Sequence, residues 1–212
     1  MERTTPSPVP PRRYFGVSRN VFFLGWVSFL TDVSSEMIVT ILPLFLANVL
    51  GVGTSIIGLI EGIADSTAAL MRFPSGWLSD RWRRRKGLTL AGYGLSTLAK
   101  PFFYLATSWG LVLLLRFADR VGKGVRTAPR DALVADSTLP EERGRSFGLH
   151  RAMDSAGAVV GLLGAALVVL LVQRGGLDLR EDAFRTIVLV GTIPAILALL
   201  VLWFLVHEAR PA

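Results

Sequence analysis

Between Arg116 and Asp136 the chain reads RFADRVGKGVRTAPRDALVAD, a charged stretch set between long apolar runs. Arg116, Asp119, Arg120, Lys123 and Arg130 follow three- to four-residue spacing, so on a helix they form a stripe along one side. Arg126 adds a further cation to the same stretch. An ionisable side chain at the centre of a bilayer costs about 2.5–3.5 kcal/mol. These cations cannot all face lipid; they must line a water-filled cavity or meet acids on neighbouring helices. Candidate acids recur at i, i+4: Asp32 with Glu36, and Glu61 with Asp65. His150 and Asp154 share that spacing. A partly buried acid beside cations can change charge as access changes, which is the chemistry of a proton-linked solute pathway. The alternative is a set of structural ion pairs that only tie helices together. The pathway reading takes Asp32, Glu36, Glu61, Asp65, Arg116, Asp119, Arg120, Lys123, Arg126, Arg130 and Asp154.

The elements that hold these residues follow from composition. Of 212 residues, 51% are hydrophobic, and the mean hydropathy is +0.51. The apolar residues run in long, nearly uncharged segments, the signature of membrane spans. Six helical spans are expected, at about 21–50, 55–78, 88–107, 109–136, 146–172 and 184–206. Before them stands a Pro- and Arg-rich arm over residues 1–19, read as mobile. The membrane domain takes residues 20–207 and a short tail 208–212. Pro43, Pro74, Pro101, Pro129 and Pro194 lie in or beside spans, where a broken backbone is tolerable if protein or water satisfies it.

The net charge of +7 does not indicate nucleic acid, because no recognition module or aromatic-interleaved basic face accompanies it. The basic residues sit at span ends instead. Arg81, Arg83, Arg84, Arg85 and Lys86 crowd the second connector, Arg143 and Arg145 the fourth, and the first and third carry neither Lys nor Arg. By the positive-inside rule both termini are cytosolic. Cysteine is absent and His150 and His207 are the only histidines, so thiolate chemistry is excluded and no metal or cofactor is expected. Tyr14, Tyr93, Tyr104, Trp82 and Trp109 read as interfacial anchors. Lys100, just before Pro101, is either a pathway residue or a snorkelling anchor.

The stretch GWLSDRWRRRKG resembles the signature loop between helices two and three of the major facilitator superfamily, Gly-x-Leu-Ala/Ser-Asp-Arg-x-Gly-Arg-Arg. Gly76, Leu78, Ser79, Asp80, Arg81, Arg84 and Arg85 match it, while Arg83 replaces the second glycine, which implies a looser turn. RVGKGVRTA resembles the fourth-helix motif of that family, with Arg120 and Gly124 on its fixed positions. FLTDVSSEMIVTILPLFL is similar to the first helix of a bacterial subgroup. The fifth-helix segment SAGAVVGLLGAA lacks the Gly-Pro pair of many proton antiporters, and its Gly157, Gly161 and Gly164 fit close helix packing equally well.

The resemblance implies an all-α membrane protein, the N-terminal six-helix half of the superfamily fold. It implies a cytosolic gate formed by Gly76, Asp80, Arg81, Arg84, Arg85 and Asp136, with Arg84 and Asp136 as the gate pair. In the family, Asp80 faces the N-terminus of a helix in the second half. The expected function is secondary transport of a small solute, by proton-coupled export, in a bacterial inner membrane. The partners are the lipid bilayer, protons, and a second six-helix half that is either an identical or a separate chain. The competing reading is a non-transporting receptor, scaffold or inactive remnant.

Overall fold

The computed structural model describes residues 13–173 and 178–209. Most of the expected N-terminal arm, and the last residues of the expected tail, lie outside the described residues. From Arg13 the arm is not a free strand. Arg13–Tyr14 (β1) and Val17–Ser18 (β2) form a small antiparallel hairpin. Its turn, Phe15-Gly16, has both residues at positive φ, as a two-residue hairpin turn requires. Val17 is buried, and Tyr14 stacks on Phe22 at 5.2 Å between ring centroids.

Helices occupy every expected segment. They are α1 (Arg19–Val39), α2 (Leu42–Asn48), α3 (Thr54–Trp82), α4 (Arg85–Phe102), α5 (Trp109–Asp136), α6 (Arg143–Val172) and α7 (Glu181–Leu205). Ser18 caps α1 and Ser108 caps α5, each accepting a backbone N–H, which satisfies one of the orphan donors of a helix start. The first segment is not one helix. It breaks at Thr40–Ile41, and Pro43 opens α2 in its first turn, where its missing N–H costs nothing. The other four prolines lie inside continuous helices.

Among the described residues, four helical stretches are long and apolar enough to cross a membrane: Arg19–Asn48, Thr54–Trp82, Pro140–Val172 and Glu181–Leu205. The segments α4 and α5 fall outside that set because they carry charge. Large apolar side chains such as Leu70, Phe73, Leu163, Leu170, Leu171 and Phe204 stand exposed on the outer surface. A soluble protein rarely shows so continuous an apolar exterior; a membrane protein needs one.

Helix α1 lies against α6 and α7, α5 lies against α3 and α4, and α4 also touches α7. Gly157 and Gly161 let α6 close on α1: a Cβ at either position would collide with the carbonyl of Phe29 or Val33. The glycine spacing of the fifth span therefore has a packing role. Two apolar cores result. One holds Met37, Leu42, Phe45, Phe184 and Ile187 toward the Thr54 end of α3. The other holds Val21, Leu24, Val27, Leu133 and Leu202 toward the Asp136 end of α5. On α1 a polar layer of Ser28, Thr31, Asp32 and Ser34 lies between them.

Candidate functional site

Two polar tiers occupy the interior. The first lies near the Thr54 and Trp109 ends of α3 and α5, two helices that run side by side from there. Glu61 accepts two hydrogen bonds from Arg116, from Nε at 3.2 Å and from NH2 at 2.5 Å. Asp119 stands 3.8 Å from Arg116 and 3.9 Å from Arg120, and Asp65 stands 3.9 Å from Arg120. The acids expected on the second span thus do meet the cationic stripe. Arg116 is 1% exposed, and such a buried charge persists only when paired.

The second tier is a partly open cavity of about 210 Å3 lined by α1, α3, α4, α5 and α6. Asp32 and Asp154 enter it from α1 and α6, two carboxyls lining the same cavity. Lys123, Arg126 and Arg130 enter from α5, on successive turns of the expected stripe. Arg126 is positioned from two sides: its NH1 donates to Ser96 at 2.7 Å, and its guanidinium lies over the Tyr93 ring at 4.4 Å. That placement needs α4 and α5 in backbone contact. Gly92 and Gly122 permit it, since a Cβ on either would come within 2.7 Å of the facing helix. Arg130 donates to Asp131 at 2.9 Å and to Ser28 at 3.2 Å, and Ser28 also meets His150 at 3.0 Å.

Glu36 does not line this cavity. A further turn along α1, its carboxylate accepts from Thr40 Oγ1 at 3.2 Å, and its Cβ lies beside Gly161 of α6. The four-residue step turns it from the cavity toward α6. Tyr93 corrects a second expectation. It is 1% exposed and forms part of the cavity wall, not an interfacial anchor. Lys100 is also buried, and its Nζ donates to Ser34 at 2.7 Å and to Ser35 at 3.1 Å, which excludes snorkelling. Arg72, Asp131 and Arg151 line the cavity as well, unpredicted. Arg72 had a signal in the sequence as a lone cation in the apolar run of α3, and Arg151 stands at i, i+3 from Asp154.

At the Asp136 end the expected gate residues gather, with one change of partner. Arg85, not Arg84, makes the ion pair with Asp136. Arg85 also reaches the Ala132 carbonyl at 2.8 Å and stands 3.9 Å from Asp80. Arg84 is exposed. The reason is the turn. Arg83 takes the left-handed conformation (φ 50°, ψ 22°), and its N–H reaches the Ser79 carbonyl. The turn is therefore as tight as a glycine would make it, and it aims the first residue of α4 at α5. Arg81 packs over the Trp77 ring at 5.4 Å. Gly76 faces Ala128 with room for a Cβ at 3.5 Å, so the close approach of α3 to α5 depends on Gly124, packed against Ala68 and Met71. Glu208 accepts from the backbone N–H groups of Arg85 and Lys86 at 2.8 and 3.0 Å, an acid at a helix N-terminus.

The family profile described as Major Facilitator Superfamily matches residues 24–212. An uncharacterised transporter of this type from Methanocaldococcus jannaschii is 36% identical over 196 residues, covering 92% of this chain and 47% of that protein. The multidrug resistance protein MdtH of Photorhabdus laumondii is 29% identical over 142 residues, covering 67% of this chain and 35% of that protein. Among solved structures, a peptide transporter superposes with a TM-score of 0.78 at 18% identity, over 92% of this chain and 40% of that one. The chain spans about half the length of the curated relatives it matches. A family match over nearly the whole chain and a relative of this identity agree with the fold: the chain belongs to the major facilitator superfamily of membrane transporters.

Proposed function

We propose that the chain is the N-terminal six-helix half of a secondary transporter, and that it moves a small solute together with protons after pairing with a second half. In this reading α4 and α5 cross the membrane with the four apolar stretches, their charges turned inward. The connector around Arg83 and both chain ends lie in the cytosol, and the host membrane is a bacterial inner membrane. The observation that carries the reading is the cavity that Asp32 and Asp154 line together, beside Lys123, Arg126 and Arg130. Two carboxyls in one low-dielectric cavity resist ionising together, so the pair can hold a proton inside a lipid-facing bundle. Buried ionisable groups at such depth are expensive, and they mark proton and solute routes by default.

Export is the direction supported by the name of the multidrug resistance relative. Pairing is supported by Asp80 and Asp65, whose side chains are 75% and 74% exposed despite their long contacts with Arg85 and Arg120, and so present carboxylate surface to a second half. The partner is either an identical chain or a complementary one. Transport profiling in membrane vesicles, with the chain alone and with a complementary half, tests the reading. Gradient-dependent movement of a solute supports it; no movement in either arrangement counts against it.

A further inference from the structure

The charge and size of the cavity narrow the class of its occupant. Five cations reach it, Arg72, Lys123, Arg126, Arg130 and Arg151, against three carboxyls, Asp32, Asp131 and Asp154. Two of the cations are already matched: Arg130 to Asp131 at 2.9 Å and Arg151 to Asp154 at 3.7 Å. Within the cavity, Asp32 is then the carboxylate left to Lys123, Arg126 and Arg72, and Asp119, one turn back along α5, also acts on Lys123. Protonation of either Asp32 or Asp154 reduces the countercharge further, and the lining then carries a clear excess of positive charge. Helices wall most of it, so this excess is screened less than the same charges on an open face would be.

Arg126 is the fixed element of the cluster. It is 4% exposed, and the Ser96 hydrogen bond and the Tyr93 ring hold it. A guanidinium has five N–H donors in a fixed fork, which suits a carboxylate or phosphate. The hydroxyl of Tyr93, buried in the cavity wall, has no hydrogen-bond partner among the described residues, and so a donor stands ready beside the cations. The volume, about 210 Å3, is below the roughly 300–1,000 Å3 of pockets for drug-sized ligands. A lipophilic cation, the other candidate for a site containing buried acids, does not fit this charge.

From this we infer that the cavity takes a small soluble organic anion, of carboxylate or phosphate chemistry, on Arg126 and Lys123. The inference rests on the transport reading of the same cavity and adds a coupling sense to it. Protonating the acid pair frees cations for the anion, so proton and anion load together. An exported organic acid then leaves with its proton, driven by its own outward gradient.

Equilibrium binding to the 212-residue chain in phosphatidylcholine nanodiscs tests this directly, with radiolabelled succinate, inorganic phosphate and tetraphenylphosphonium as probes. Saturable binding of succinate or phosphate is expected, weakened about tenfold or more in Lys123→Gln and Arg126→Gln. Asp32→Asn is expected to retain or tighten it. Arg126 also packs on Tyr93, so the thermal midpoint of each unliganded variant is measured, and Lys123→Gln decides the matter where Arg126→Gln fails to fold. Binding of tetraphenylphosphonium that Asp32→Asn removes, with no anion bound, overturns the inference. So does anion binding unchanged in Lys123→Gln. Displacement of succinate by added phosphatidylglycerol reassigns the site to a lipid headgroup and overturns the soluble-anion inference. Binding without transport sinks the transport reading and leaves the anion site standing; transport of a cation does the reverse.

Discussion

Arg116 and Glu61 form a two-point ion pair that joins α5 to α3, with both guanidinium contacts on the two oxygens of one carboxylate. Arg116 is buried, whereas the Glu61 side chain is 30% exposed. The pair thus lies at the edge of the bundle, and Asp119 at 3.8 Å gives Arg116 a second, weaker countercharge. Glu61→Gln leaves a buried cation with only that reserve. The expected loss is about 1–3 kcal/mol of stability, read as a lowered thermal midpoint in detergent. In a double-mutant cycle with Arg116→Met the two effects are expected to be strongly non-additive. Additive effects would show that the pair does not hold the helices together.

The conformation of Arg83 gives a prediction of opposite sign. A non-glycine residue in the left-handed region costs roughly 1–2 kcal/mol, and glycine gives back part of that through its greater freedom in the unfolded chain. Arg83→Gly is expected to raise stability by about 0.5–1 kcal/mol. A lower thermal midpoint in that variant would mean that the Arg83 side chain makes a contact worth more than the strain.

The stripe on α5 was legible from spacing alone, and so were its acidic partners on α3, because charges at helical period in an apolar chain have few places to go. The two small-residue contacts of α6 with α1 were legible for a different reason, since glycines four residues apart share one helix face and let another helix close on it. What spacing could not supply was the rotation of each helix about its axis. Asp32 and Glu36 look equivalent at i, i+4, yet packing of α6 on α1 turns one into the cavity and the other out of it. Tyr93 carries the composition of an interfacial anchor, and only the backbone contact at Gly92 and Gly122 draws it under Arg126. The Arg84–Asp136 pairing failed by one residue because the left-handed turn at Arg83 sets which arginine begins α4.

The helix contact at Gly92 and Gly122 is the support on which the second tier rests. Gly122→Val inserts a branched side chain against the Gly92 carbonyl and Ser96. Overpacking of this kind costs about 1–3 kcal/mol, and separation of the helices would also withdraw Ser96 and Tyr93 from Arg126. Weakened solute binding together with a lower thermal midpoint is expected. Unchanged values of both would refute the dependence.

Arg84 and Arg85 separate gate from topology. The chain has no cysteine, so Arg84→Cys offers a single label site on an exposed residue. It is expected to react with a membrane-impermeant maleimide only from the cytosolic side and to retain transport. Arg85→Gln breaks the contact with Asp136 and is expected to lower transport severalfold. Labelling of position 84 from outside would reverse the proposed orientation.

The central claim is that solute and proton share the cavity bounded by Asp32 and Asp154. The most direct measurement is solute flux in everted vesicles bearing the chain and its second half, with and without a pH gradient, using labelled anions, zwitterions and lipophilic cations. The account predicts that a solute moves in a gradient-dependent way with the natural chain, and that Asp32→Asn abolishes the gradient dependence while Glu36→Gln largely preserves it. Membrane insertion, checked by yield and thermal midpoint, is expected to be unchanged in both. Gradient-dependent flux at the natural rate in Asp32→Asn would contradict the account.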